Sequence, residues 1–141
     1  MITIRQLKKE DATAVAALIP QLTQNIIEPE KLLQRLESMT SGDHYKYFVA
    51  ELDSQVVGLA GLVWYPIPSK GLIGWVEEVV VDEQFRGQGI GRDLTKKIME
   101  LAGQKGCKQV KLTSATAISS KLYEQLGFVK KDQDYFAKTL N

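Results

Sequence analysis

The chain has one cysteine, Cys107, and one histidine, His44. A lone thiol allows no intramolecular disulfide, and metal sites built on several cysteines are excluded. Neither sign of charge is in excess: 18 Lys and Arg stand against 17 Asp and Glu, so no global basic field argues for nucleic acid or an anionic membrane. Any positive patch must be local. No run of about 18 apolar residues exists to span a bilayer, and the start, MITIRQLKKED, has no apolar signal region. The expectation is a cytoplasmic protein with no nucleic-acid partner, no membrane attachment and no metal.

What is present suits a single domain over residues 1–141, long enough for a real core. Ile2, Ile4 and Leu7 alternate with polar residues as an opening strand. From Asp11, the residues Ala14, Val15, Leu18, Ile19 and Leu22 follow helical spacing, with Pro20 expected to end or kink the helix. Pro29 opens a second helix carrying Leu32, Leu33, Leu36 and Met39. After a turn at Ser41, Gly42 and Asp43, strands Tyr45 to Leu52 and Val56 to Tyr65 form a hairpin closed around Asp53 and Ser54. Pro66 and Pro68 mark an exposed loop ending near Gly71.

The stretch from Gly74 to Arg92, GWVEEVVVDEQFRGQGIGR, organises the rest. Trp75 to Val81 reads as a strand covered on both faces, because its β-branched residues do not alternate with polar ones. Glu77 and Glu78 adjoin within it, so their side chains are expected on opposite faces. A buried carboxylate is costly unless it is paired or put to use. Gly87, Gly89 and Gly91 then lead into a helix, from about Gly89 to Gln104, with Ile90, Leu94, Ile98 and Leu101 at helical spacing. Glycines at a helix entrance let a ligand approach the backbone, and the free N–H groups of the first turn favour an anion such as a diphosphate. A tight turn with no ligand is the other reading of a GxG taken alone.

The helix closes at Gly103 or Gly106. A strand through Val110 and Leu112 follows, and its helical crossover places it parallel to the strand at Val79. A helix from Ile118 to Leu126, stopped by Gly127, leads into a final hairpin from Phe128 and Val129 through Tyr135 and Phe136.

Spacing separates the nucleotide motifs. The third glycine falls one place early for a dinucleotide fingerprint, and no phosphate loop of the GxxxxGK[ST] type is present. Arg86, Gly89 and Gly91 match the [QR]xxGx[GA] signature of the GNAT superfamily of acyl-CoA-dependent N-acetyltransferases. The preceding VxVD-type strand and the later LYEQLGF segment, similar to the family's FYExxGF, stand in the family order, so the chain resembles that family over nearly its whole length.

The resemblance implies an α/β GNAT fold. That is a mixed central sheet of six to seven strands with about four helices, and a parallel strand pair splayed around acetyl-CoA. Val79, Val80 and Val81 would line the pantetheine arm, with the Val81 backbone pairing to it and the Val79 N–H aimed at the acetyl carbonyl. The amides of Gly87, Gln88, Gly89, Ile90, Gly91 and Arg92 would hold the diphosphate, with Arg86 and Arg92 adding positive charge. Glu77 is the first choice of base, being close to the family's catalytic carboxylate and sharing side-chain parity with Val79; Glu78 is the second. Tyr123 would protonate the departing thiolate. Thr116 stands where the family often has an asparagine on the cofactor arm. Ile26 and Ile27 are candidates for the acceptor wall, although plain packing also accounts for them.

The implied activity is acetyl transfer from acetyl-CoA to a primary amine by direct attack, on a small molecule, with a homodimer possible. A protein or peptide N-acetyltransferase and a non-catalytic acyl-CoA-binding module are the alternatives. The module would need neither Glu77 nor Tyr123, and both are present. Cys107, in a helix-to-strand loop away from this site, is a poor nucleophile.

Overall fold

Two apolar layers, one on each face of a single sheet, hold the chain together. The structure, a computed structural model, describes residues 1–39 and 42–140; the expected turn residue Ser41 lies outside them. The strands are β1 (Ile2–Gln6), β2 (Tyr45–Leu52), β3 (Gln55–Ile67), β4 (Gly71–Val81) and β5 (Gln109–Lys111). They lie in the order β1-β2-β3-β4-β5, antiparallel throughout except for the parallel pair β4 and β5. The helices are α1 (Ala12–Leu22), α2 (Pro29–Met39), α3 (Ile90–Lys105) and α4 (Ala117–Gln125).

One face carries α1 and α2, whose Val15, Leu18, Leu32 and Leu36 pack on Val49, Leu59 and Val80. The other carries α3, which presents Ile90, Leu94, Ile98 and Leu101 to Phe48, Ala60, Leu62 and Val76. That stripe recurs every three or four residues, the period of a helix buried along one side. Leu94 and Ile98 have no exposed surface, so truncating either to alanine costs about 2–5 kcal/mol. Helix α3 ends on Gly106, which takes the left-handed conformation at φ 84° and donates its N–H to Ala102 and Gly103.

Pro20 neither ends nor breaks α1, which continues to Leu22. In the last turn it forfeits a single backbone bond, a smaller loss than the helix interior would suffer. The expected Pro66–Pro68 loop is instead the end of a longer hairpin, in which Pro66 pairs with Leu72. The pairing of β2 stops at Tyr45 opposite Val63, so the side of β3 that Pro66 leaves without a donor has no β2 residue to meet there.

The final hairpin does not form. Beyond Phe128, whose N–H donates to the Tyr123 carbonyl, residues 129–140 have no regular structure. Val129, Tyr135 and Phe136 are 74%, 74% and 87% exposed. The charged KKDQD between them offers nothing to bury, and an isolated two-stranded hairpin is marginal in water. Among the described residues the sheet therefore has five strands rather than the six or seven expected. Among the described residues no helix is long and apolar enough to cross a membrane.

Candidate active site

Strand β4 changes face halfway along. Glu77 pairs with Gly61 and Val80 with Leu59, so Glu78 and Val79 together stand opposite the single residue Ala60. This is a β-bulge, and Glu78 occupies it at φ 56°, a left-handed conformation that costs a non-glycine residue about 1 kcal/mol or more. The extra residue shifts the alternation by one. Val76 before it and Val79 and Val81 after it pack toward α3, whereas Val80 packs toward α1 and α2. Glu77, next to Val76, lies on the α1–α2 side. The expected shared parity of Glu77 and Val79 is therefore overturned, and the simple alternation expected of Glu77 and Glu78 does not hold across a bulge. Glu77 is half-buried and Glu78 exposed.

Electrostatics follow from that placement. Burial, and then the neighbouring charge of Glu78, push the Glu77 carboxyl above its ordinary value. Tyr47, a residue absent from the sequence-derived candidates, is pushed up to about 12 by burial and by the charges of Glu78 and Glu77. Glu77 also lines a hollow of about 380 Å³ with Val63, Tyr65, Trp75 and Thr113, and Tyr135 of the tail borders it. The larger hollow along α4, of about 600 Å³, is lined by none of the expected catalytic residues.

The other edge of β4 is open. Pairing with β5 runs only from Ile73 opposite Gln109 to Trp75 opposite Lys111, so Val76–Val81 have no β5 partner and the parallel pair separates there as expected. At the end of that free edge the Arg86 Nε donates to the Val81 carbonyl at 2.9 Å. Gly87 and Gly89 follow at φ 83° and 84°, and a Cβ at either would meet nothing within 4 Å, so the turn encloses open space. Gly89 caps α3, whose first backbone bond runs from Asp93 N–H to the Gly89 carbonyl. The N–H groups of Ile90, Gly91 and Arg92 thus have no carbonyl within the helix, the arrangement that suits a diphosphate. The side chains of Ile90 and Val80 are buried in the two cores, which leaves only their backbones for a ligand.

Helix α4 adjoins this turn. Arg92 donates to the Gln125 side chain at 2.7 Å, and a Cβ at Gly91 would lie 3.8 Å from Leu122. Thr116 caps α4 by accepting the Ser119 N–H at 3.1 Å. Tyr123 is buried, edge-on to Phe128 with ring centroids 5.8 Å apart, and burial raises its hydroxyl. The phenol therefore keeps its proton through the neutral range.

The remaining candidates stand apart. Cys107 packs in the core on the α3 side, across the sheet from Glu77, and burial raises its thiol. His44 is exposed, with its carbonyl accepting from Trp64 N–H. Ile27 packs against the α1–α2 core, whereas Ile26 is 81% exposed. Among the described residues no group of three His, Cys, Asp or Glu side chains could hold a metal.

Comparison with known proteins agrees with this geometry. Residues 43–130 match the family model described as an acetyltransferase (GNAT) domain. The chain is 31% identical over 131 residues to the glucosamine 6-phosphate N-acetyltransferase of Trypanosoma brucei brucei, covering 90% of this chain and 88% of that protein. It is 30% identical over 125 residues to the thialysine N-epsilon-acetyltransferase of Bos taurus, with 79% and 73% covered. The crystal structure of glucosamine-6-phosphate N-acetyltransferase from Arabidopsis thaliana superposes with a TM-score of 0.89 at 25% identity, over 100% of this chain and 99% of that one. A bulged strand with a free edge, an open glycine turn at a helix start and this family match together make the chain a member of the GNAT superfamily, an N-acetyltransferase that takes its acetyl group from acetyl-CoA.

Proposed function

We propose that the protein acetylates a primary amine of a small molecule by direct attack on acetyl-CoA in a ternary complex. The observation that carries this reading is the bulge. It puts Glu77 and Val79 on opposite sides of β4, whose other edge is unpaired from Val76 to Val81 because β5 ends opposite Trp75. The pantetheine arm pairs with that edge as an added strand, through the Val81 backbone. The Gly87–Arg92 amides hold the diphosphate. Arg86 and Arg92 add charge there, and the Arg86 bond to Val81 gives way as the arm takes that carbonyl.

The amine reaches the site protonated. Glu77, its carboxyl raised by burial and by Glu78, takes one proton, and the freed lone pair attacks the thioester carbon. The Val79 N–H stabilises the oxyanion of the tetrahedral intermediate. Collapse breaks the carbon–sulfur bond as the Tyr123 hydroxyl gives its proton to the departing thiolate, and the nitrogen loses its second proton, which returns to the Tyr123 oxygen through solvent. The products are the acetylated amine and CoA. Thr116 holds the turn into α4 that carries Tyr123.

Two relatives named for glucosamine 6-phosphate and thialysine support a small, amine-bearing acceptor. The exposed aromatic tail supports a homodimer, since a second copy is a natural cover for Tyr135 and Phe136. Light scattering should then give twice the chain mass of 15.8 kDa. The activity itself is tested by following free thiol from acetyl-CoA with glucosamine 6-phosphate, thialysine and peptide amines. Turnover confined to peptide amines would overturn the small-molecule reading.

A further inference from the structure

Tyr47, Gly61 and Glu77 are direct neighbours on β2, β3 and β4. Residues paired across antiparallel strands share a face, so all three lie on the side that carries α1 and α2. Gly61 has no side chain between the other two, and a Cβ there would overlap the Tyr47 ring. The ring therefore lies over β3 and brings its hydroxyl into the field of both Glu77 and Glu78.

These oxygens lack partners. Among the described residues the Tyr47 hydroxyl and the two carboxylates make no hydrogen bond and no ion pair; the ion pairs present involve Arg5 and Lys97 instead. Tyr47 is half-buried and its hydroxyl still reaches solvent, so a ligand entering from that side can meet it. Two adjacent carboxylates repel unless a cation joins them. A compact cation with several N–H donors suits three such oxygens on one side of the sheet.

We propose that Tyr47 is a specificity-determining residue of the acceptor site, its hydroxyl oxygen joining Glu77 and Glu78 in holding the primary ammonium of the acceptor. An ammonium has three N–H donors, and the three groups offer one acceptor to each. When Glu77 removes a proton, the Tyr47 oxygen and Glu78 keep the neutral amine in place. The inference rests on the acetyl-transfer reading above and adds the group that selects a primary amine.

The test is Tyr47→Phe, with glucosamine 6-phosphate and thialysine as probes. Loss of one hydrogen bond to a charged group should raise KM for the accepted amine about tenfold. KM for acetyl-CoA should stay unchanged and kcat should fall less than about threefold. Gly61→Ala, which displaces the ring but keeps the hydroxyl, should raise the same KM, and melting curves confirm that each variant is folded. A wild-type amine KM in folded Tyr47→Phe would overturn the assignment. So would equal rises in both KM values. Calorimetry with the same amines in the absence of acetyl-CoA separates this from failure of the acetyl-transfer reading. Weaker amine binding by Tyr47→Phe than by wild type supports the role even without turnover; equal binding, or none by wild type, overturns it.

Discussion

Val76 and Val80 are four residues apart in β4, and they are buried in cores on opposite sides of the sheet. A regular strand would put both on one side. The extra residue at Glu78 parts them, and it also sends Glu77 and Val79 to opposite faces. In the proposed mechanism one strand thereby serves two reactants. Glu77 addresses the amine from the α1–α2 side, and Val79 offers backbone beyond the bulge to the thioester.

The bulge makes a stability prediction. Glu78 at φ 56° should accept glycine with a change within about 1 kcal/mol, because relief of left-handed strain offsets the greater entropy of the unfolded chain. Valine, branched at Cβ, should cost about 1–2 kcal/mol there. Urea unfolding of Glu78→Gly and Glu78→Val measures both, and equal stabilities would show that the strand can relax without the bulge.

The glycine turn makes a binding prediction. If the proposed cofactor site is right, Gly89→Val should abolish acetyl-CoA binding, because a branched side chain would enter the space assigned to the diphosphate and strain the φ 84° conformation. Calorimetry on a folded Gly89→Val protein decides it, and unchanged affinity would remove the turn from the cofactor site. NADH should not bind to the wild type.

Proton transfer predicts a two-sided pH profile. In the proposed mechanism the base is ionised Glu77, so the rate at saturating acetyl-CoA should rise with pH through a value raised above that of an ordinary glutamate. Glu78→Gln, which removes a neighbouring negative charge, should move that rise to lower pH. Tyr123 must hold its proton, and burial places the alkaline fall above about 10, the usual phenol value. Tyr123→Phe should remove the fall and keep the rise. Glu77→Gln and Tyr123→Phe should each lower kcat roughly 100-fold to 10,000-fold with little change in acetyl-CoA affinity.

A covalent route predicts something different from direct attack. It would give acetylated Cys107 by intact mass without amine, and an inactive Cys107→Ala. The expected result is no acetyl-cysteine and a fully active variant, because the thiol is raised by burial and lies across the sheet from Glu77.

Far from the site, Arg5 ties the fold together. Its guanidinium bonds both Asp11 oxygens at 2.8 and 2.9 Å and Glu51 at 2.9 Å. Burial alone would raise the Asp11 carboxyl, but the bonds from Arg5 and the Lys8 N–H outweigh it and hold the group below its ordinary value. A lowered folded value contributes stability above the unfolded carboxylate range, lost as pH falls through the folded value. Arg5→Leu strands the buried charge and should cost about 3 kcal/mol at pH 7. The deficit should narrow in acid, where Asp11 is protonated. A pH-independent deficit would mean that packing, not charge, is what Arg5 supplies.

Much of this architecture was written locally. Asp53 and Ser54 close the β2–β3 hairpin at φ 48° and 66°, and Gly87, Gly89 and Gly91 mark the turn into α3. The buried stripe of α3 follows from its helical period, and the crossover through α3 makes β5 parallel to β4. Such features are legible because their causes lie within a few residues of their effects.

The bulge had no such cause within β4; Gly58 and Gly61 in β3 suggest a bulge or a close backbone approach there, but nothing local assigns it to Glu78. Glutamate has no preference for positive φ, so VEEVVV reads as an unbroken strand; only the pairing of Glu78 with β3, eighteen residues earlier at Ala60, decides where the ladder slips. Tyr47 carries no local signal for the same reason, since its neighbourhood with Glu77 passes through a third strand at Gly61. The tail erred in the other direction. Phe128, Val129, Tyr135 and Phe136 carry the pattern of a hairpin, but pattern supplies no surface to bury against, and 129–140 pair with nothing in the fold. Local chemistry therefore determined which turns and helices this chain makes, whereas strand register and available surface, both long-range, decided which faces Glu77, Val79 and Tyr47 share and whether the last strands form.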